Sequence, residues 1–212
     1  MAQNIVIIDY GMGNLHSVHS AIQKVAHNAK IIVTDNPDLI EQADRVIFPG
    51  QGAARDCMKA IGQHHLNKAV LKVAQEKPFL GICMGLQVLL SHSEENGGTP
   101  LLDLFAGEVT HFPKEMRDKE GLKLKIPQMG WNRVKQDPHP LWQGIPDQAH
   151  FYFVHSYYIQ PENTDLAIGT TQYGIEYSSA LAYQNLFAVQ FHPEKSADHG
   201  LQLLRNFIEW KI

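Results

Sequence analysis

The sequence predicts an α/β fold with a mostly parallel central sheet flanked by helices, and with additional antiparallel strands in the C-terminal half. In the first half, short apolar runs rich in β-branched residues alternate with amphipathic stretches, which is typical of βαβ units around a buried sheet. Beyond the glycine pair at 97–98, helical signals become few and strand-like runs follow one another. The chain has 212 residues, 44% of them hydrophobic, and no linker or repeat, so we expect 1–212 to be a single domain.

The N-terminal half is predicted to begin with a βαβ unit. Residues 5–8 are four consecutive aliphatic residues and form the first predicted strand, and apolar residues at helical spacing over 15–25 predict the helix that follows it. Further strands are predicted at 31–33, 45–48 and 79–82. The apolar residues 88–90 predict that the last of these strands leads directly into a second helix.

The C-terminal half is predicted to supply further strands and a closing helix. Strands are predicted near 107–112, 122–126, 150–154, 166–171, 177–183 and 186–191. The last helix is predicted over 196–211, with Ser196 as its N-cap and with Leu204 and Phe207 on its apolar face.

Composition excludes several classes of protein. Lys and Arg number 18 against 22 Asp and Glu, without a run of like charge, which argues against a nucleic-acid partner. The aliphatic run near the N-terminus is too short for a signal peptide or a membrane span, so we expect a cytoplasmic protein. The two cysteines cannot form a disulfide framework. The 12 histidines lack metal-ligand spacing, and we expect neither a metal nor a cofactor.

Cys83 stands in a pattern typical of a nucleophile elbow. It is the central residue of Gly81-Ile-Cys-Met-Gly85, between a predicted strand and a predicted helix. Glycines two residues to either side remove the Cβ atoms that would collide where strand and helix approach. A helix N-terminus also favours thiolate over thiol. We therefore interpret Cys83 as a nucleophile and Cys57 as an ordinary core cysteine whose replacement by Ala has little effect on chemistry.

A base and an oxyanion site complete this hypothesis. His192 and Glu194 are two residues apart, so in extended chain they would project to the same side, and Glu194 could orient the imidazole. The backbone N–H of Met84 is one expected oxyanion donor. The loop that contains Gly50 and Gly52 could supply a second donor, although an ordinary turn explains these residues equally well.

The chain resembles the class I, triad-type glutamine amidotransferases over nearly its whole length. The runs GICMGLQ at 81–87 and QFHPEKS at 190–196 carry this resemblance. Further runs are similar to the glutaminase subunits of imidazole glycerol phosphate synthase. They are IDYGMGNLHS at 8–17, FPGQGAARD at 48–56, PQMGWN at 127–132 and FYFVHSYY at 151–158. The resemblance implies a flavodoxin-like sheet and an enzyme, which in the synthase complex also takes part in a lyase reaction.

The resemblance also implies a reaction and a partner. A triad of Cys83, His192 and Glu194 would hydrolyse glutamine to glutamate and ammonia. The ammonia would pass to a (β/α)8-barrel cyclase in a heterodimer, which makes imidazole glycerol phosphate and an aminoimidazole carboxamide ribonucleotide in histidine biosynthesis. The residues implied in oxyanion and glutamine binding are Gly50, Gly52, Met84, Gln87, Ser156 and Tyr157. Those implied at the partner interface are Gly11, Met12, Asn14, Gln128, Met129, Trp131 and Asn132.

Two other functions remain as alternatives. One is the glutaminase subunit of another ammonia-using synthase, such as anthranilate synthase, against which the run PQMGWN argues. The other is a regulatory protein without catalysis, which predicts the loss of a triad member, whereas all three are present. The sequence departs from the family at Gln51, where an apolar residue is more usual, and over 99–106, to which no function is assigned.

Overall fold

The structure is a computed structural model that describes residues 3–212. Its strands are β1 (Gln3–Ile8), β2 (Ala29–Thr34), β3 (Arg45–Gly50), β4 (Phe79–Cys83), β5 (Leu90–Ser93), β6 (Thr99–Pro100), β7 (Phe105–His111), β8 (Gln128–Arg133), β9 (Lys135–Gln136), β10 (His150–His155), β11 (Tyr157–Pro161), β12 (Ala167–Tyr173), β13 (Ile175–Tyr183) and β14 (Leu186–Val189). Its α-helices are α1 (Leu15–Val25), α2 (Pro37–Glu41), α3 (Ala54–Gln63), α4 (Asn67–Glu76), α5 (Met84–Gln87) and α6 (Ala197–Glu209).

The central sheet has a parallel half and a mostly antiparallel half. The strands run in the order β2-β1-β3-β4-β14-β13-β11-β7-β5-β6. The neighbours from β2 to β14 are all parallel, which is the order of a flavodoxin-like sheet. β13 then pairs antiparallel with β14, and β11 pairs antiparallel with both β13 and β7. The predicted fold class is confirmed.

Both faces of the parallel half are buried, as the continuous apolar strands require. In β1, Ile5 and Ile7 belong to one hydrophobic cluster, whereas Val6 and Ile8 belong to the other. Successive side chains of a strand point to opposite faces, so the two clusters lie on the two sides of the sheet. The first cluster includes residues of α1 and α6, and the second includes residues of α2, α3 and α4. None of the helices within residues 3–212 has both the length and the apolar character needed to cross a membrane.

β8 and β10 form a separate antiparallel ribbon of two strands. The peptide bond between Ile126 and Pro127, just before β8, is cis. On the outer surface of the ribbon, Met129 is 65% exposed and Trp131 is 53% exposed. This ribbon therefore presents large apolar side chains that the chain itself does not cover.

Several sequence predictions are wrong. The helix predicted to follow the strand at 79–82 is present as α5, but it does not extend through 88–90, because α5 ends at Gln87 and β5 begins at Leu90. A short buried apolar run has no periodicity that separates helix from strand. Residues 122–126, all within the described chain, form no strand, and a single bridge pairs Arg117 with Lys123. The strands β8 and β11 were not predicted, because their exposed and buried residues do not separate into a clear apolar run.

Ser196 occupies the predicted N-cap position of α6, but its side chain makes no capping hydrogen bond. Its hydroxyl donates to the carbonyl oxygen of His192 at 2.6 Å and accepts from the backbone N–H of Tyr152 at 2.9 Å. The hydroxyl instead joins the segment around His192 to β10.

Candidate active site

Cys83 lies at the sharp turn between β4 and α5, with φ of 56° and ψ of −109°. A residue other than glycine adopts such a conformation only under strain, which the surrounding structure must maintain. The two neighbouring glycines allow this close approach. A Cβ added at Gly81 would lie 2.8 Å from the carbonyl oxygen of Gly85, and one added at Gly85 would overlap the carbonyl oxygen of Phe48. Strand, turn and helix therefore have the geometry of a nucleophile elbow.

His192 and Glu194 form a buried pair next to this turn. Nδ1 of His192 lies 2.9 Å from Oε1 of Glu194, and their side chains are 6% and 1% exposed. The contact was predicted for extended chain, but that reason is wrong, since Pro193–Lys195 is a turn of 3-10 helix. The turn folds the carboxylate back onto the ring. The backbone N–H of His192 also donates to the carbonyl oxygen of Tyr152 at 2.9 Å, which fixes the segment.

The charges around His192 favour its protonated form. Burial lowers the pKa of the imidazole, but the negative charge of Cys83 and the hydrogen bond and charge of Glu194 outweigh burial, and the pKa rises to about 10. Nε2 of His192 is buried without a hydrogen-bond partner, as is Oε2 of Glu194. The site is therefore suited to a protonated imidazole beside Cys83, with one ring nitrogen available to a reacting group.

A cavity of about 640 Å³ opens over Cys83. Its lining residues are Gly11, Met12, Gln51, Gly52, Cys83, Met84, Gln87, Glu95, Pro127, Val154, His155, Ser156, Tyr157, His192 and Lys195. Most residues predicted for catalysis and glutamine binding are therefore brought together here. Gly11 and Met12, which were predicted for the partner interface, also line this cavity. Asn14 instead caps α1, since its side chain accepts from the backbone N–H of Ser17 at 3.3 Å.

The loop after β3 borders the same cavity. Gly50 is the register partner of Cys83, and a Cβ at Gly50 would collide with the hydroxyl of Tyr10. Gly52 has φ of 96°, a conformation that favours glycine. The carbonyl oxygen of Gln51 accepts a hydrogen bond from the thiol of Cys57 at 3.4 Å. The backbone of the loop is thus held close to Cys83.

The second cysteine has a different environment. Cys57 is fully buried in α3, and burial raises its pKa to about 11. It remains a neutral thiol near neutral pH, which agrees with its interpretation as a core cysteine.

The residues predicted for the partner interface from PQMGWN have mixed environments. Met129 and Trp131 are exposed. Gln128 is 2% exposed, and its Oε1 accepts from the hydroxyl of Tyr177 at 2.9 Å. The side chain of Asn132 donates to the carbonyl oxygen of Gln172 at 2.9 Å. Only Met129 and Trp131 of these four thus present a large free side-chain surface.

Sequence reasoning missed three polar residues of the site. Glu95 lines the cavity and accepts from the backbone N–H of Ala54, the first residue of α3, at 2.7 Å. Lys195 lines the cavity and directly follows Glu194. Gln190 donates to Sγ of Cys83 at 3.7 Å. Lys195 and Gln190 stand in the run QFHPEKS, which could have indicated them, whereas no local pattern marks Glu95.

The fold and the site together define a class of protein. A strained cysteine at the carboxyl end of a parallel strand, next to a buried imidazole–carboxylate pair, is the arrangement of an enzyme that transfers acyl groups through a thiol. Within residues 3–212, no group of three or more His, Cys, Asp or Glu side chains is placed to hold a metal ion.

Comparison with known proteins narrows the class to a family. The model of the family "Glutamine amidotransferase class-I" matches residues 6–210. The imidazole glycerol phosphate synthase subunit HisH of Thiobacillus denitrificans is 55% identical over 212 residues, which cover 99% of this chain and 92% of that protein. The subunit HisH of Dechloromonas aromatica is 53% identical, with 99% and 97% covered. The chain belongs to the class I glutamine amidotransferases and, within them, to the family of HisH subunits.

Solved structures show the same fold at low sequence identity. PurLQS from Thermotoga maritima superposes with a TM-score of 0.73 at 12% identity, covering 99% of both chains. A glutamine amidotransferase from the same organism gives a TM-score of 0.62 at 15% identity, covering 99% of this chain and 84% of that one.

Proposed function

We propose that this chain is the glutaminase subunit of imidazole glycerol phosphate synthase and acts in the cytoplasm. It hydrolyses glutamine to glutamate and ammonia and delivers the ammonia to a (β/α)8-barrel cyclase of histidine biosynthesis. The observation that carries the chemistry is that Cys83 and His192 line one cavity, while Glu194 contacts the imidazole of His192 from behind. The names of relatives with more than half of their residues identical support the choice of synthase over an anthranilate-forming one.

The reaction begins at the sulfur of Cys83. The thiolate attacks the side-chain amide carbon of glutamine, a C–S bond forms, and the carbonyl oxygen becomes an oxyanion. The N–H of Met84 belongs to the first turn of α5, so it has no acceptor within that helix and can donate to the oxyanion. The backbone at Gly50, the last residue of β3, and at Gly52 in the loop that follows supplies the second donor. Both donors are backbone N–H groups, so the presence of Gln51 in place of the more usual apolar residue does not remove them.

His192 then transfers protons in two directions. As the C–N bond breaks, the imidazolium gives its Nε2 proton to the nitrogen, and ammonia leaves behind a γ-glutamyl thioester on Cys83. The neutral imidazole next takes a proton from water, whose oxygen adds to the thioester carbon. The C–S bond breaks, glutamate leaves, and the thiolate and imidazolium are restored. Glu194 holds Nδ1 throughout, which orients the ring and stabilises its charge.

The cavity offers a carboxylate that complements the α-ammonium group of glutamine. Among the described residues that line it, Glu95 is the one carboxylate, and we assign it to the α-ammonium group. The backbone at Ser156 and Tyr157, together with Gly52, holds the rest of the substrate. Gln87 contributes its side-chain amide from the first turn after the nucleophile.

The exposed side of the β8–β10 ribbon is the proposed surface for the cyclase. Met129 and Trp131 lie there beside a second cavity of about 540 Å³. The consecutive residues Pro127 and Gln128 line the catalytic and the second cavity respectively. The ring of Trp131 contacts that of Tyr152, over which the ammonium group of Lys195 lies at 5.9 Å. The surface is thus continuous with the triad segment, and Gly11 and Met12 extend it across the mouth of the catalytic cavity.

One assay tests this function. Glutamate release from glutamine is measured with the purified chain alone, with a barrel cyclase of histidine biosynthesis and its nucleotide ligand, and with an anthranilate-forming subunit as the matched control. We expect a low rate alone and stimulation by the cyclase only. Equal rates in all three mixtures would contradict the proposal, and stimulation by the anthranilate-forming subunit would support the alternative synthase.

A further inference from the structure

Gln190 is a buried amide that the proposed mechanism does not use. It directly follows β14, and its residue surface is 0% exposed. Its backbone N–H donates to the carbonyl oxygen of Ser179 at 2.9 Å, which fixes the main chain. A side-chain amide without hydrogen bonds would be costly at such a position, so the partners of its side chain indicate why it is polar.

Both partners of this side chain belong to the active site. Oε1 of Gln190 accepts from Nε2 of Gln87 at 2.9 Å, and Nε2 of Gln190 donates to Sγ of Cys83 at 3.7 Å. An N–H group aimed at the sulfur stabilises a thiolate more than a thiol, because the hydrogen bond is stronger when the acceptor is charged. Gln190 therefore contacts the reacting atom and a substrate-binding side chain at the same time.

The contact with Gln190 also determines what Gln87 can offer a ligand. Nε2 of Gln87 donates one hydrogen to Gln190 and the other to the carbonyl oxygen of Tyr157 at 3.2 Å. Both N–H groups of the Gln87 amide are then occupied, and its oxygen is the remaining polar atom. Gln87 lines the cavity, so this oxygen can accept a hydrogen bond from an N–H group of a bound glutamine.

We propose that Gln190 is a positioning residue with two effects: it holds the sulfur of Cys83 in its reactive charged form, and it orients Gln87 so that an oxygen faces the substrate. This proposal rests on the proposed function for its second effect, since that effect assumes glutamine as the ligand. The first effect concerns only the sulfur and needs no substrate.

The test replaces Gln190 by methionine, which has a similar volume but neither donor nor comparable acceptor. The rate at which iodoacetamide alkylates Cys83 is measured against pH without glutamine, and KM and kcat are measured in the complex with the cyclase. We expect the midpoint of the alkylation profile of Gln190→Met to rise by about one pH unit. We expect KM for glutamine to rise about fivefold or more.

Two further variants keep the test decisive. In Gln190→Glu the carboxylate still accepts from Gln87 but competes with Cys83 for a proton. The midpoint of the alkylation profile should therefore rise, while KM for glutamine changes less than in Gln190→Met. Asn185→Ala is the matched control, because Asn185 is a buried amide at the opposite end of β14 that donates to the carbonyl oxygens of Ala74 and Lys77. It should lower the thermal stability and leave both the midpoint and KM unchanged.

The outcomes separate this proposal from the proposed function. A midpoint that stays unchanged in a folded Gln190→Met or Gln190→Glu chain would overturn the role at Cys83, and an unchanged KM in Gln190→Met would overturn the role at Gln87. Equal midpoint shifts in Asn185→Ala would show a general loss of structure and would also overturn the proposal. Alkylation needs no glutamine, so a chain without glutaminase activity would contradict the proposed function and still report on Cys83.

Discussion

Nδ1 of His192 lies 2.9 Å from Oε1 of Glu194, at a place where the two side chains are only 6% and 1% exposed. A buried carboxylate needs a charged or hydrogen-bonded partner, and His192 is the one partner found for Glu194 within the described chain. The same contact therefore orients the imidazole ring of His192 and neutralises the carboxylate of Glu194.

Replacement of Glu194 by glutamine should lower kcat for glutamine hydrolysis on the order of 10²-fold with little change in KM, because the ring loses its charged orienting partner. Steady-state kinetics in the cyclase complex measure this. The pair of His64 and Asp35 provides the control, since its atoms are also 2.9 Å apart but its side chains are 37% and 57% exposed. Asp35→Asn should leave both constants unchanged, and a similar kcat in Glu194→Gln and the parent chain would contradict the assigned role.

The protonation of His192 should depend on Cys83. The negative charge of Cys83 and the carboxylate of Glu194 outweigh burial and raise the pKa of His192 to about 10. A raised pKa stabilises the folded state fully below the unfolded pKa near 6.5, and this contribution is lost as pH rises from about 6.5 to about 10. In Cys83→Ala the midpoint of His192 should fall, as followed by NMR of the imidazole C–H signals. An equal titration midpoint of His192 in the parent chain and in Cys83→Ala would show that Cys83 does not raise the pKa of His192.

Replacement of a glycine of the elbow by alanine should lower the stability of the protein, whereas the same replacement at an open position of α3 should not. Gly85→Ala places a Cβ on the carbonyl oxygen of Phe48 and should cost about 3 kcal/mol or more of the free energy of unfolding. Gly62→Ala, in α3, meets nothing within 4 Å and should gain about 0.5–1 kcal/mol. Denaturant titration measures both. Similar stabilities of the two variants would contradict the close approach of β3 and α5.

The sequence predicts the parallel half of the fold better than the rest, for a physical reason. Residues 5–8 are buried on both faces, and such a strand reads as an unbroken apolar run. The run at 88–90 is equally apolar and buried, but α5 has already ended and β5 begins at Leu90, which no local pattern reveals. β8 was missed because Met129 and Trp131 face outward, so its apolar residues do not mark a buried strand.

Individual motifs indicate the residues of the site, but their contacts depend on distant segments. The elbow around Cys83 and the acid two residues after His192 are visible in short runs of sequence. Glu95 reaches the start of α3 across 41 positions, and Gln190 reaches Cys83 across 107. Long-range contacts of this kind follow from the order of the strands, which a single sequence does not specify.

The exposed ribbon should contribute to the affinity for the cyclase. Trp131→Ala should weaken the complex by about 30-fold or more, as expected for a large aromatic side chain at the centre of an interface. Tyr183→Ala removes a side chain that is 51% exposed, compared with 53% for Trp131, at the end of β13, and should leave affinity unchanged. Calorimetric titration compares the two. Equal affinities of Trp131→Ala and Tyr183→Ala for the cyclase would show that the ribbon is not the interface.

The nitrogen source of the synthase reaction shows whether Cys83 generates ammonia for a second active site. Formation of imidazole glycerol phosphate is measured in the complex of the cyclase with either the parent chain or Cys83→Ala, first with glutamine and then with ammonium. We expect the parent complex to use both sources, whereas Cys83→Ala loses synthesis from glutamine and keeps synthesis from ammonium. Synthesis from glutamine by the Cys83→Ala complex would show that Cys83 is not the nucleophile.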